Sequence, residues 1–135
     1  MTPKGIGELA EMEFMLEASR KGLTVCKPFT HFCKYDFIVD NGKRLLRVQV
    51  KSTAIERFRE DRKSSQFSIM VSHGSSKKEH YTKDQIDVFA IFIGPLKVWY
   101  FIPVHAVNAC KISLNPQGKQ SKYAVFKENW DMITN

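Results

Sequence analysis

Cysteine is scarce and odd in number: Cys26, Cys33 and Cys110 are the only three, and no two of them form a C-x-x-C pair. A disulfide framework and a thiolate zinc knuckle are thereby excluded. The thiols are expected as small buried hydrophobes in a reducing compartment. The four histidines, His31, His73, His80 and His105, lack the i, i+4 spacing of a helical zinc site. Long apolar runs are missing too. No stretch approaches the ~20 apolar residues of a membrane span, and the N-terminus has no signal-like apolar segment. The expectation is a cytoplasmic protein with no membrane attachment. Acid is in short supply: 14 Asp and Glu stand against 21 Lys and Arg, a net charge of +7 with a pI near 9.4. Such an excess favours a polyanionic partner, because cations that neutralise phosphates release counterions.

What is present suits a folded domain. The chain has 135 residues, 43% hydrophobic and 26% charged, enough to bury one core, so a single domain over residues 1–135 is expected. A helix is predicted from about Ile6 to Lys21, with Leu9, Met12, Met15, Leu16 and Ser19 or Ala18 recurring at threes and fours. Gly22 after Arg20-Lys21 is a helix stop. Leu23 to Cys26 reads as a short strand ended by Pro28. Tyr35 to Asp40 and Leu45 to Thr53 read as an antiparallel hairpin, with Asn41-Gly42 as a two-residue turn in which both residues take positive φ.

Further on, the charge-dense stretch from Arg57 to Lys63 and the Gly/Ser/Lys-rich stretch from Ser72 to Lys78 read as loops around a strand at Phe67 to Ser72. Tyr81 to Ile86 is a short helical turn capped by Thr82. Val88–Ile93 and Val98–Val104 form a second strand pair through Gly94-Pro95. A short strand at Lys111–Leu114 precedes an aromatic tail ending near Trp130.

Alternation places Gln49 and Lys51 on one face of their strand, with Val48 and Val50 on the other. The hairpin brings Asp36, at the start of the preceding strand, beside them. A carboxylate, an amide oxygen and an ammonium at one end of a hairpin suit phosphodiester hydrolysis with a hard cation. Taken alone, these residues fit a turn carboxylate and a solvated strand end better than a catalytic site.

Lys4-Gly5, Glu11, Gly22, Tyr35-Asp36-Phe37-Ile38-Val39-Asp40 and Leu46-Arg47-Val48-Gln49-Val50-Lys51-Ser52 resemble the PD-(D/E)xK nuclease superfamily. The likeness is to the branch of archaeal-type Holliday junction resolvases and small group I intron homing endonucleases. Two positions depart from the family pattern. Tyr35 stands at the family proline, which shapes the chain without doing chemistry. Gln49 stands at the usual Glu and brings an oxygen ligand without charge.

The resemblance implies an α/β restriction-endonuclease-like fold, a three-layer core around a central mixed β-sheet. It implies a site of Glu11, Asp36, Gln49 and Lys51. Asp36, Gln49 and Glu11 would ligate Mg²⁺, with Mn²⁺ as a substitute, and Lys51 would orient the attacking water or stabilise the transition state. Among the helix acids Glu11 has Phe14, Met15 and Ala18 at +3, +4 and +7, so it points along an apolar, inward face, and Glu8, one turn earlier on nearly the same face, is the alternative. Arg57, Arg59, Arg62, Lys63, Lys77 and Lys78 are candidate phosphate contacts. The implied function is metal-dependent cleavage of double-stranded or branched DNA by a homodimer, with four-way junctions preferred because so short a chain has no appended domain to read a long site. A site-specific intron-homing type of endonuclease is one alternative. A DNA-binding module that has lost catalysis is another.

Overall fold

The computed structural model describes residues 1–54, 56–61, 64–118 and 121–135. Helix α1 (Pro3–Arg20) starts earlier than the periodicity indicates, because Thr2 caps it: its Oγ1 accepts a 3.1 Å hydrogen bond from Gly5 N, and Pro3 supplies a preset φ at the first position. It stops at Gly22, whose φ of +82° suits the left-handed exit.

The core face of α1 differs in part from the expected one: Phe14 and Ala18, on the inward face beside Glu11, are buried as expected. Leu9, Met12, Met15 and Leu16 face solvent, and the buried stripe is Ala10, Phe14 and Ala18. Two apolar stripes run along this helix, and side-chain size decides between them. The two alanines let the helix lie close to the sheet, and Phe14 fills the space between them, with its ring 5.5 Å from Phe37 and 5.7 Å from Trp99.

Ten strands follow among the described residues: β1 (Thr24–Cys26), β2 (Phe37–Asp40), β3 (Leu45–Thr53), β4 (Glu56–Arg59), β5 (Ser64–Met70), β6 (Ser72–His73), β7 (Glu79–His80), β8 (Val88–Ile93), β9 (Val98–Pro103) and β10 (Lys111–Leu114). The central sheet has the order β1-β2-β3-β8-β9. It is mixed: β3 and β8 run parallel and the other pairs antiparallel. Strand β8 is apolar on both faces, as a strand covered on both sides must be.

One face of this sheet packs on α1 through Phe37, Val48, Val50 and Ala90. On the other face Phe89, Ile91 and Tyr100 meet Phe67, Ile69 and Leu114 of a second sheet, ordered β10-β5-β4. Helix, mixed sheet and small antiparallel sheet form the three layers of the restriction-endonuclease-like fold. The C-terminal helix α2 (Asp131–Thr134) closes the helical side, with Ile133 fully buried and the Trp130 ring 4.4 Å from that of Phe101.

Three expectations are corrected. The β2–β3 connection is four residues, not two: Asp40 pairs with Leu45, only Gly42 takes a positive φ (+84°), and Asn41 Oδ1 accepts from the backbone N–H groups of both Lys43 and Arg44. Asn41 is thus a side-chain staple and has no need of the left-handed region. The charged stretch expected as a loop contains β4, an edge strand paired to β5, where charge on an edge is the usual guard against further pairing. Cys26 is exposed, since β1 is also an edge strand, while Cys33 and Cys110 are half-buried. No helix of the described residues is long and apolar enough to cross a membrane.

Candidate active site

The site begins where β2 leaves β3. The last register pair is Phe37 with Val48, so one residue earlier Asp36 lies across from Gln49. Asp36 N still donates to Val48 O at 2.8 Å, but beyond it the strand has peeled away. The N–H of Val50, facing that gap, donates instead to Asp36 Oδ2 at 2.8 Å. A side-chain oxygen thus replaces a missing strand carbonyl, and this fixes the carboxylate at the fork.

Burial dominates the Asp36 environment and pushes its pKa up from 3.8 to about 6. The Val50 hydrogen bond pulls it down, the Glu11 charge raises it, and the cations of Lys51 and Lys27 lower it. Asp36, Gln49, Glu11 and Glu8 line one cleft of about 530 Å³. Glu11 is half-buried beside the inward stripe of α1 and pairs with Lys27 at 3.5 Å, whereas Glu8 is exposed. Gln49 holds its amide nitrogen loosely, 3.4 Å from Val50 O, and its Oε1 takes no hydrogen bond among the described residues.

Lys51 lies on the Gln49 face of β3, two residues on. Its Nζ sits 5.2 Å above the Tyr81 ring, and burial lowers its pKa while the charge of Asp36 raises it. The four residues drawn from the sequence pattern are therefore gathered at one end of the sheet: three line the cleft and Lys51 stands next to it.

The structure adds residues that the pattern does not reveal. Tyr81 lines the cleft, and burial, followed by the field of Asp36, pushes its pKa up to about 12, so its hydroxyl keeps its proton. His73, on β6, also lines the cleft; its ring lies 4.8 Å from Tyr81, and its Nε2 is buried with no hydrogen-bond partner among the described residues. Lys27 holds Glu11. None of the three has a spacing signal, because each reaches the site from another part of the chain.

Asp40, the second acid of the hairpin, serves the turn: its Oδ1 accepts from Gly42 N at 2.8 Å. Arg47 serves the sheet, gripping Asp87 at 3.1 Å and so tying β3 to the start of β8. Of the candidate phosphate contacts, Arg57 is exposed on β4 and Lys77 is exposed before β7. Lys78 donates to Gly74 O at 2.7 Å and lies close enough for its charge to act on Lys51. Arg62, Lys63 and the Arg59 side chain lie outside the described residues.

The donor set suits a hard divalent cation. The carboxylates of Asp36, Glu11 and Glu8 and the amide of Gln49 line the same cleft, and the charge of Glu11 disfavours the ionised form of Asp36, which a divalent cation would favour. No group of three or more His, Cys, Asp or Glu side chains placed for a metal occurs among the described residues.

A family model described as PD-(D/E)XK endonuclease matches residues 1–133. No curated protein matches the chain in sequence. Among solved structures, the bacterial homing endonuclease I-Ssp6803I superposes with a TM-score of 0.81 at 21% identity, covering 99% of this chain and 94% of that one. Hjc from Archaeoglobus fulgidus, a Holliday junction resolvase from an archaeal hyperthermophile, superposes with a TM-score of 0.56 at 16% identity, covering 93% of each chain.

Proposed function

The chain belongs to the PD-(D/E)XK endonuclease family, and from that membership we propose that it is a Mg²⁺-dependent DNA endonuclease with one catalytic domain over residues 1–135. The observation that carries this reading is the fork: Asp36, pinned by Val50 N, faces Glu11 and Gln49 across one cleft with Lys51 alongside. Asp36, Glu11 and Gln49 would hold Mg²⁺, or Mn²⁺ in its place. The ion supplies polarisation of the phosphate and acidification of a water.

The rest of the work falls to this chain's own groups. Asp36 keeps Oδ2 on the Val50 N–H, which holds its carboxylate at the wall of the cleft. Lys51 sets an ammonium where negative charge grows on the phosphate, in a pocket dry enough for that charge to count. Tyr81, protonated, offers a hydroxyl donor and limits the positions that Lys51 can take.

For the substrate we favour a specific duplex site, on the extent of the fold likeness: the homing endonuclease is matched over nearly the whole of both chains at a TM-score of 0.81. Four-way junctions are the second reading, supported by the 93% overlap with the resolvase. A second copy would supply a second active site, since cutting both strands takes two.

The test is cleavage of a panel of linear duplexes and four-way junctions, with Mg²⁺ or EDTA. A single preferred duplex position, cut on both strands only with the metal, is the expected result. Symmetric nicks on junctions of unrelated sequence would transfer the assignment to the second reading. DNA binding with no cleavage in any metal would leave a binding module and sink the nuclease.

A further inference from the structure

The loop between β1 and β2 carries two features that the cleavage chemistry does not use. Phe29 and Phe32 are 102% and 93% exposed, whereas Phe14, Phe37, Phe67, Phe89 and Phe101 are all buried. A single exposed hydrophobe needs no explanation, but two fully solvated aromatic rings three residues apart do.

Their placement supplies one. Pro28, Thr30, His31 and Cys33, the residues on either side of the two rings, line the active-site cleft, and the rings themselves do not. The loop thus puts its small and polar groups on the cleft wall and holds both phenylalanines outward at the rim. It is anchored at both ends. At one end Lys27 pairs with Glu11 and lies 5.6 Å over the Phe37 ring; at the other, Cys33 Sγ donates to Tyr35 O and Asp36 is tied to β3. Lys4, Lys27 and Lys34 also line this cleft, beside the carboxylates Glu8, Glu11 and Asp36; Lys27 is paired to Glu11, whereas Lys4 and Lys34 have no acidic partner among the described residues.

We infer that Phe29 and Phe32 form an aromatic wedge that enters between bases of the DNA strand held in the cleft, unstacking the steps beside the cut. The inference rests on the nuclease reading and deepens it. Charge complementarity selects the occupant: a strand whose phosphates lie on Lys4 and Lys34 brings its bases to the rim, and bases are what an exposed ring can cover. Aromatic side chains gain free energy by stacking on any base, and apolar wedges at a base step bend the duplex. The wedge therefore recognises deformability, and steps that unstack easily are preferred at the cut.

The experiment uses the DNA of the cleavage panel that the wild-type protein cuts fastest, with 2-aminopurine placed at the steps flanking the mapped cut. Wild type with Ca²⁺ in place of Mg²⁺ should change the probe's fluorescence as the step unstacks. Phe29→Ala and Phe32→Ala should each lose that change and cut the paired substrate at least on the order of ten-fold more slowly, the scale of removing one ring from a stacked base. The same DNA with a mismatched pair at the cut should restore most of the rate to both variants, because the unstacking is already done.

Variants as fast as wild type on paired DNA would overturn the wedge, as would a slowing that mismatches do not rescue. A fall in sedimenting mass in the variants, with no change in probe fluorescence, would instead make the rings an interface between two copies of the chain. A wild-type protein that cut nothing would remove the nuclease reading and the wedge together, an outcome separate from the others.

Discussion

Asp36 accepts a 2.8 Å hydrogen bond from the backbone N–H of Val50, fourteen residues further along the chain. This bond stands where the hairpin ladder breaks, so it joins folding to chemistry: it repairs the sheet with one carboxylate oxygen and holds the group at the wall of the cleft. Replacing Asp36 should therefore damage catalysis more than architecture. Asp36→Asn keeps an oxygen for Val50 N but no charge, and cleavage should fall at least about a hundred-fold, on the scale of removing one electrostatic interaction from a transition state. Far-UV circular dichroism should be unchanged. Cleavage within a few-fold of wild type would remove Asp36 from the site.

Gln49 is the residue most open to improvement. It faces the cleft with Oε1 unengaged among the described residues and brings no charge. Gln49→Glu should tighten Mg²⁺ binding, measured by calorimetry, since a carboxylate is the stronger ligand for a hard cation. Gln49→Ala should weaken it. Equal affinities in all three proteins would show that the ion does not meet position 49.

Glu11→Gln should slow cleavage more than Glu8→Gln, because Glu11 is half-buried and acts on Asp36, whereas Glu8 is exposed. Lys27→Met is the control for position: it frees Glu11 from its 3.5 Å partner while leaving the carboxylate in place. The single-turnover rates of the three variants rank the two acids, and a greater slowing at Glu8 would transfer the helix role to it.

The hairpin residues are legible in the sequence because alternation is a local rule: once Leu45–Thr53 is a strand, Gln49 and Lys51 must share a face. The pair Val88–Ile93 and Val98–Pro103 is equally plain, being continuous apolar runs around Gly94-Pro95. Helix α1 is legible and its buried face in part: Phe14 and Ala18 stand on the inward face expected beside Glu11, but Leu9 and Met12 look more like core residues than Ala10, and only the shape of the sheet beneath favours small residues flanking Phe14. Strand β4 is hidden by its charges, which a strand at a sheet edge can carry. Tyr81, His73 and Lys27 are out of reach for another reason: their roles come from neighbours across the fold, for which no periodicity exists.

Stability should report that helix face directly. Phe14→Ala removes a fully buried ring and should cost about 3–5 kcal/mol. Met12→Ala, on the exposed stripe, should stay within about 0.5 kcal/mol of wild type. Urea titrations give both values, and a reversed order would mean that α1 is rotated on the sheet.

Salt dependence separates two surfaces for the phosphates. Lys4 and Lys34 line the cleft, while Arg57 and Lys77 are exposed elsewhere along the chain. If the backbone runs through the cleft, Lys4→Ala combined with Lys34→Ala should flatten the plot of log affinity against log salt by about 0.9 for each phosphate that no longer meets a cation. Arg57→Ala with Lys77→Ala should flatten it less. The opposite ranking would move the DNA onto the charged loops.

The last expectation concerns pH. In the metal-free protein burial holds Asp36 up at about 6, against about 3.9 for an unfolded aspartate. Between those values the native state binds more protons than the unfolded one, so this group's contribution to stability is fully present below about pH 4 and is lost as pH rises through 6. Other carboxylates work against it. Asp87, held low by its hydrogen bonds to Arg47 in spite of burial, contributes stability that is lost as pH falls. The difference between wild type and Asp36→Asn isolates the Asp36 contribution. In EDTA at pH 7.5 the variant should be the more stable of the two, by on the order of 1–2 kcal/mol once solvent screening of a partly exposed group is allowed for. That advantage should shrink to nothing near pH 4. Adding Mg²⁺ at pH 7.5 should then raise the melting temperature of wild type but not of the variant, because a ligand that binds only the native state stabilises it by mass action. A wild-type protein that is the more stable partner in EDTA at pH 7.5 would mean that Asp36 is comfortable as an anion without a metal. Its place at the fork would then be structural first.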